Sequence, residues 1–239
     1  MRLDKYVSEA MGVTRSESRR LIKRGTVTVD GAPAREPDMK VTGSEKICAG
    51  GTPLNRTEFV YIMLNKPEGV VSASRGSGGE LTVTDLVREE FPRRELFPAG
   101  RLDKTSTGFV LLTDDGQFAH DILAPGKHVP KTYLVKLDTP LTEKMAKLFS
   151  EGPTLADGTR LDAAEVHAVS ADGKTVEVIL HQGVYHQIKR MFGLCDAGVD
   201  ALHRTAIGGV ELDAKLKPGE CRLLTENELE KLKNRSHAE

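Results

Sequence analysis

At about 150 residues per domain, a chain of 239 residues makes one large unit or a large unit with a small appendage. A net charge of -1 excludes a uniformly basic nucleic-acid binder, and no run of 18 apolar residues is long enough to be a membrane span, while 38% hydrophobic content can fill a core. The opening MRLDK lacks a secretory signal pattern, so a soluble cytoplasmic protein is expected.

The near-zero total hides an asymmetry. The first 57 residues hold 11 Lys/Arg against 7 Asp/Glu, and the remainder holds 23 against 28. Leu3, Tyr6, Val7 and Ala10 recur at helical spacing over 3–11, with Gly12 as the terminator. Thr14 and Glu17 fit a capping box. The helix they open runs to about Arg24, ahead of Gly25, with Leu21 and Ile22 inward. Its other face carries Arg15, Arg19, Arg20, Lys23 and Arg24, a density that suits a polyanion and equally a solvated surface. TVTVDGAPA (26–34) reads as an alternating strand into an Asp30–Gly31 turn, and AGGTPLNRT (49–57) as a linker. Two domains are predicted, 1–57 and 58–239.

Beyond the linker, FVYIMLNKPEG reads as a buried strand ending at Pro67, and SRGSGGE (74–80) as a mobile loop. Strands are predicted at 109–113, 132–137, 164–169 and 175–181, and helices at 82–90, 116–124, 142–150 and 185–197. Strict βαβ alternation is missing, which favours an α+β fold on a mixed or antiparallel sheet. Thr225 and Glu228 signal another capping box and a C-terminal helix fraying into KNRSHAE. Cys48, Cys195 and Cys221 lack CxxC spacing and the seven histidines are scattered, so neither a disulfide framework nor a structural metal is predicted.

Three polar segments could carry chemistry. In PAGRLDKTSTGFVLLTDDG (98–116), Asp103 sits among hydroxyls near Arg101, where a carboxylate can be held ionised as nucleophile or base, or can simply cap a turn. Asp114, Asp115 and Gly116 read as a turn into a helix. In PKTYLV (130–135), Lys131 and Tyr133 share one face of an extended chain. A ring beside a cation can stack on a base and steady a phosphate, or be a core tyrosine beside a surface lysine. In GVYHQIKRMFG (183–193), His186, Lys189 and Arg190 accompany the apolar Ile188, Met191 and Phe192. A cation turned inward there needs a carboxylate, and Asp103 is the candidate.

Together these segments resemble a known family. GRLD (100–103), STG (106–108), LLTDDG (111–116), PKTY (130–133), YHQIKRMF (185–192) and IGG (207–209), with LNKPEG (64–69) and LKPGE (216–220), are similar to the RsuA-type rRNA pseudouridine synthases. The basic N-terminal module resembles the S4 RNA-binding domain of such enzymes. The resemblance covers essentially the whole chain and implies a small S4-like α/β domain followed by a synthase domain on a mixed, mainly antiparallel sheet with flanking helices. Within the family the likeness is nearest to members that modify uridine 516 of 16S rRNA, through VELDAKLKPGECRLLTENEL and YHQIKRMF.

What the resemblance implies is an isomerase that needs no cofactor or metal and acts as a monomer on ribosomal RNA or a small-subunit assembly intermediate. Asp103 takes the part of the catalytic carboxylate, by covalent attack or by a proton transfer at C2′. Tyr133 stacks on the flipped uracil, and Lys189 pairs with Asp103. Arg101, Lys131 and Arg190 hold RNA or shape the pocket, and the five cations of the second helix bind RNA. There are two departures: His181-Gln182-Gly183-Val184 replaces the Glu-Gly usual before the YHQ-type helix, and Thr105 stands where an acid or amide is frequent. The alternatives are a 23S rRNA target and an inert rRNA-binding assembly factor.

Overall fold

The computed structural model describes residues 1–42, 44–54, 59–92, 94–124 and 129–235. The chain divides into Met1–Phe59 and Val60–Glu239, two units each with its own core.

In the first unit, helix α1 (Leu3–Met11) ends at Gly12, whose φ of 64° suits glycine. Helix α2 (Arg15–Lys23) opens with the full capping box: the Glu17 amide donates to the Thr14 hydroxyl, and the Thr14 amide donates to the Glu17 carboxylate. Four short antiparallel strands follow, β1 (Val27–Val29), β2 (Ala32–Pro33), β3 (Ile47–Ala49) and β4 (Thr52–Pro53), in the order β2-β1-β3-β4. Asp30 and Gly31 both have positive φ between β1 and β2, as a tight hairpin requires. Leu3, Tyr6 and Val7 of α1 meet Ile22 of α2 and Val27 and Ile47 of the sheet. Residues 49–53, read as linker, instead lie in the β3–β4 hairpin, and the Tyr6 hydroxyl donates to Leu54 O at 3.0 Å. Gly50 and Gly51 mark a turn, and composition alone does not reveal that its flanks pair. Residues 55–57 of that reading lie outside the described residues.

In the second unit the elements are β5 (Tyr61–Lys66), α3 (Val83–Leu86), β6 (Phe97–Pro98), β7 (Thr107–Thr113), α4 (Gly116–Leu123), β8 (Lys131–Leu137), α5 (Glu143–Ser150), β9 (Glu165–Ala168), β10 (Thr175–Leu180), α6 (Gln187–Gly193), β11 (Val199–Ile207), β12 (Val210–Glu211), β13 (Cys221–Leu223) and α7 (Glu226–Arg235). They build one mixed sheet in the order β13-β5-β7-β11-β8-β10-β9, with β6 on β7 and β12 on β11. Among the described strands of this sheet only β7 and β11 pair in parallel, so the sheet is mainly antiparallel, as the resemblance implies.

Period-two alternation sorts the strand residues onto two faces. Ile62, Leu64, Val110, Leu112, Val135 and Leu137 join Met145 and Phe149 of α5 and Ile188, Met191 and Phe192 of α6 on one face. Met63, Phe109 and Leu111 meet Phe118 and Ile122 of α4 and Leu232 of α7 on the other. Phe149 and Phe192 contact edge to face at 4.9 Å, which ties α5 to α6.

The expected helices shorten at two places. The segment 82–90 holds a single helical turn, and 185–197 becomes 187–193, with His186 at φ 51° before its start and Asp196 at φ 54° beyond its end, both outside the helical region. Strand β11, absent from the sequence reading, lies in the middle of the sheet. Asp200, His203, Arg204 and Thr205 interrupt its apolar pattern, so VDALHRTAI does not alternate as a buried strand does. The parallel β7–β11 pairing depends on Gly108: a Cβ there would lie 2.3 Å from the Arg204 carbonyl oxygen.

Candidate active site

Asp103 lies on the loop that leads into β7, on the sheet face that carries α6. That loop is clamped from beneath. The Ser72 hydroxyl donates to Leu102 O at 2.9 Å and accepts from the Leu102 amide at 3.0 Å. Lys66, at the end of β5, is fully buried and donates to Ser106 O at 2.6 Å, Pro67 O at 3.0 Å and Lys104 O at 3.4 Å. Burial pushes the Lys66 ammonium down to about 8, although Asp103 and Glu68 pull in the opposite direction. Sequence reading missed this role. The available signal was a lysine, with Asn65, closing a run of apolar strand residues.

The Asp103 carboxylate, 26% exposed, meets an ammonium and an imidazole from the α6 segment. Lys189 Nζ lies 3.6 Å from one oxygen, and His186 Nε2 lies 3.4 Å from the other. Lys189 also donates to the Thr105 hydroxyl at 3.1 Å, so the departure at Thr105 supplies an acceptor that orients the ammonium. The pairing of Lys189 with Asp103 expected from the resemblance is therefore present. Neither contact is a short hydrogen bond, and the carboxylate keeps room for a reacting atom.

Tyr133 is 9% exposed and belongs to the same apolar cluster as Leu102 and Ile188, the residues flanking Asp103 and Lys189 in sequence. Beside it on β11 is Arg204, 3% exposed, with its guanidinium carbon 5.9 Å from the Tyr133 ring centre. Arg204 Nε donates to Phe109 O at 2.7 Å, while Nη2 is buried without a hydrogen-bond partner among the described residues. Lys131 is half-buried on the same strand as Tyr133; burial, reinforced by the Arg204 charge, pushes its ammonium down to about 8. Arg204 was missed because its strand was missed.

The remaining expected RNA contacts separate by partner. Arg101 is exposed at the loop. Arg190 is bound to Asp157 at 2.5 Å and so faces an acid of its own chain; hydrogen bonds from Thr159, with the Arg190 contact added, hold the Asp157 carboxyl down at about 2. The departure at Gln182 is structural: its side-chain oxygen accepts from the Asp162 amide at 3.1 Å. In the first unit, Arg15 and Arg19 do not stand free either. Both reach the fully buried Asp4, at 3.6 and 2.9 Å, and Arg2 joins them at 3.1 Å. A buried carboxylate demands such partners. Arg20, Lys23 and Arg24 are exposed, and Arg20 lends its charge to Glu17 one turn earlier on the helix. Two cations of the five-cation face, Arg15 and Arg19, are thus also engaged with an acid of their own unit, while their side chains stay 44% and 50% exposed. Among the described residues no cluster of His, Cys, Asp and Glu could hold a metal ion, and no helix is long and apolar enough to cross a membrane.

Residues 60–193, which carry Asp103, Tyr133 and Lys189, match the family described as RNA pseudouridylate synthase. The chain belongs to that family. Residues 1–47 match the S4 domain, so the synthase carries an S4 module ahead of its catalytic-family domain. The synthase is 41% identical over 231 residues to the ribosomal small subunit pseudouridine synthase A of Vibrio vulnificus, covering 96% of this chain and 98% of that one. It is 40% identical over 230 residues to the protein of the same name from Escherichia coli, with the same coverage. A protein of Bacillus subtilis described as an uncharacterized RNA pseudouridine synthase is 40% identical over 232 residues, covering 96% of this chain and 97% of that one. A crystal structure of a pseudouridylate synthase superposes with a TM-score of 0.68 at 36% identity, covering 97% of this chain and 99% of that one.

Proposed function

We propose that this synthase isomerises uridine to pseudouridine in ribosomal RNA, and that its target is uridine 516 of 16S rRNA. One observation carries the reading: a partly exposed carboxylate, Asp103, sits on a clamped loop between His186 and Lys189 within the matched family segment. The likeness to the two small-subunit synthases, end to end, favours the 16S target over a 23S one.

The reaction breaks the N1–C1′ bond, turns the uracil, and joins C5 to C1′; C5 loses a proton and N1 gains one, so the product is an isomer. The base must first leave its stack, at a cost of a few kcal/mol. Asp103 acts as the catalytic carboxylate, either attacking covalently or taking part in a proton transfer at C2′. Lys189 sets an opposite charge 3.6 Å from it in a partly desolvated site. Tyr133 presents its ring to the flipped uracil and assists removal of the C5 proton, while Arg101 and Lys131 supply positive charge to the backbone. Lys66 and Ser72 hold the Asp103 loop still, which is how a site gains from preorganisation.

Nucleotide-resolution mapping of pseudouridine in 16S and 23S rRNA, with and without the gene, tests the reading. Loss of the signal at 16S position 516 is expected. Loss of a 23S signal with the 16S site intact would overturn the target, and purified protein that binds rRNA without forming pseudouridine would overturn the activity.

A further inference from the structure

Tyr185 is 75% exposed, and it is the sole aromatic among the exposed large apolar side chains described. Its ring lies flat on the His186 imidazole, with centroids 3.8 Å apart and planes inclined by 17°. His186 in turn reaches Asp103 at 3.4 Å. Tyr185, His186 and Asp103 therefore form a continuous line from solvent to the candidate catalytic carboxylate. Neighbouring side chains of an extended strand point to opposite sides, so a turned backbone is needed to bring two consecutive rings face to face. His186 supplies it with φ 51°, a conformation that non-glycine residues adopt at a cost and that concentrates at functional sites.

One face of the Tyr185 ring is covered and the other is open to water. A flat, rigid, half-covered ring at the mouth of a site is what an unpaired nucleobase needs, because every base has a π-face and stacking is tolerant of sequence. The surroundings suit a polyanion. Arg101 is exposed on the Asp103 loop, Lys104 beside it is exposed but paired with Glu80 at 2.8 Å, and Lys189 stays 34% exposed.

We propose that Tyr185 is the stacking platform for the base immediately beside the target uridine in the RNA strand. The proposal rests on the reading that Asp103 acts on a flipped uridine: extracting that base removes one stacking partner from its neighbour, and Tyr185 replaces it. His186 is then a positioning residue, with one side of its ring supporting Tyr185 and its edge turned to Asp103.

The test uses the full chain and the rRNA transcript that it modifies, in three forms: intact, abasic at the nucleotide 5′ to the target, and abasic at the 3′ nucleotide. Single-turnover kinetics give RNA affinity and maximal rate separately. For the wild type, one of the two abasic transcripts should bind about 10-fold or more weakly, the size of a lost base–aromatic stack. Tyr185→Ala should lose the same factor on intact RNA and lose nothing further on that abasic transcript, while Tyr185→Phe should behave as wild type. Full additivity of Tyr185→Ala with both abasic changes, a fall in maximal rate at unchanged affinity, or a Phe variant as defective as Ala would each overturn the platform. Failure of the functional reading looks different, because the wild type itself would then form no pseudouridine. In that case 2-aminopurine in single-stranded RNA still decides: its fluorescence should be quenched by wild type and not by Tyr185→Ala, and equal quenching by both would overturn the proposal.

Discussion

Each unit places an aspartate among basic side chains, and the two arrangements differ in satisfaction. In the first unit Asp4 is fully buried and receives Arg19 at 2.9 Å, Arg2 at 3.1 Å and Arg15 at 3.6 Å. Burial works against its ionisation, but hydrogen bonds from Arg19 and Arg2, with the Arg15 charge, outweigh it and hold the carboxyl below its ordinary range. In the second unit Asp103 is a quarter exposed and has only longer contacts, at 3.4 and 3.6 Å. The first acid is saturated and joins α1 to α2. The second is held in place largely through its backbone, which leaves its oxygens available to a substrate.

The comparison breaks most sharply at Asp103→Asn, which should reduce pseudouridine formation by about 10³-fold or more while leaving melting temperature and RNA affinity nearly unchanged. Retained turnover in a uridine-conversion assay would remove Asp103 from its role. Lys189→Met should lower the single-turnover rate by about 10- to 100-fold, with partial recovery in Lys189→Arg, since a charge beside the carboxylate survives there. A rate unchanged in both variants would show that the 3.6 Å contact does nothing for catalysis.

Lys66 sharpens the comparison from the opposite sign of charge. Its ammonium, pushed down to about 8 by burial, binds its proton less tightly than the unfolded chain does. Between about pH 8 and the ordinary value of 10.5, the unfolded state therefore holds more protons, and the penalty of burying this charge is relieved as pH rises. Chemical denaturation across that window should show wild type gaining stability relative to Lys66→Met. Parallel curves would contradict the buried ammonium.

At Asp4 the sign reverses. Asp4→Asn should destabilise the protein by about 1–3 kcal/mol near neutral pH, since three arginines lose their common acceptor. With the folded carboxyl held below the usual value of 3.8, the Asp4 contribution is present above that value and fades as pH falls through the lowered one. Urea unfolding at pH 7 and pH 3 should show the difference between wild type and Asp4→Asn narrowing on acidification. The smallest effect concerns the three exposed cations. Replacing Arg20, Lys23 and Arg24 with Ala should flatten the dependence of RNA affinity on salt by about 0.7–0.9 per lost phosphate contact. Arg19→Ala should chiefly lower stability, because its guanidinium bonds to Asp4 at 2.9 Å.

Local signals survive folding where they rest on neighbours in sequence. The capping boxes at Thr14 and Thr225 formed as their residues prescribe, and so did the Asp30–Gly31 turn and the Asp115 cap of α4. Strands β5, β7, β8 and β10 lie where apolar runs placed them. What escaped was long-range. Strand β11 carries polar residues whose partners come from other strands: the His203 ring and the Thr107 hydroxyl share a hydrogen bond, Arg204 donates to Phe109 O, and the Thr205 hydroxyl donates to Thr132 O. The Gly50–Gly51 turn looked like a linker until its flanks paired.

By itself the sequence determined the module order and, through its motifs, the resemblance to the family, and that resemblance is what names Asp103, Tyr133 and Lys189 as the candidate trio. Tertiary structure decided which charges are engaged with their own chain. It showed Arg15 and Arg19 bound to Asp4, Arg190 bound to Asp157, Lys66 buried beneath the Asp103 loop, and Tyr185 left open beside His186. The reason is that a cation's fate depends on which carboxylate or carbonyl the fold brings within hydrogen-bonding distance, and those partners lie 1 to 40 residues away or more in the chain.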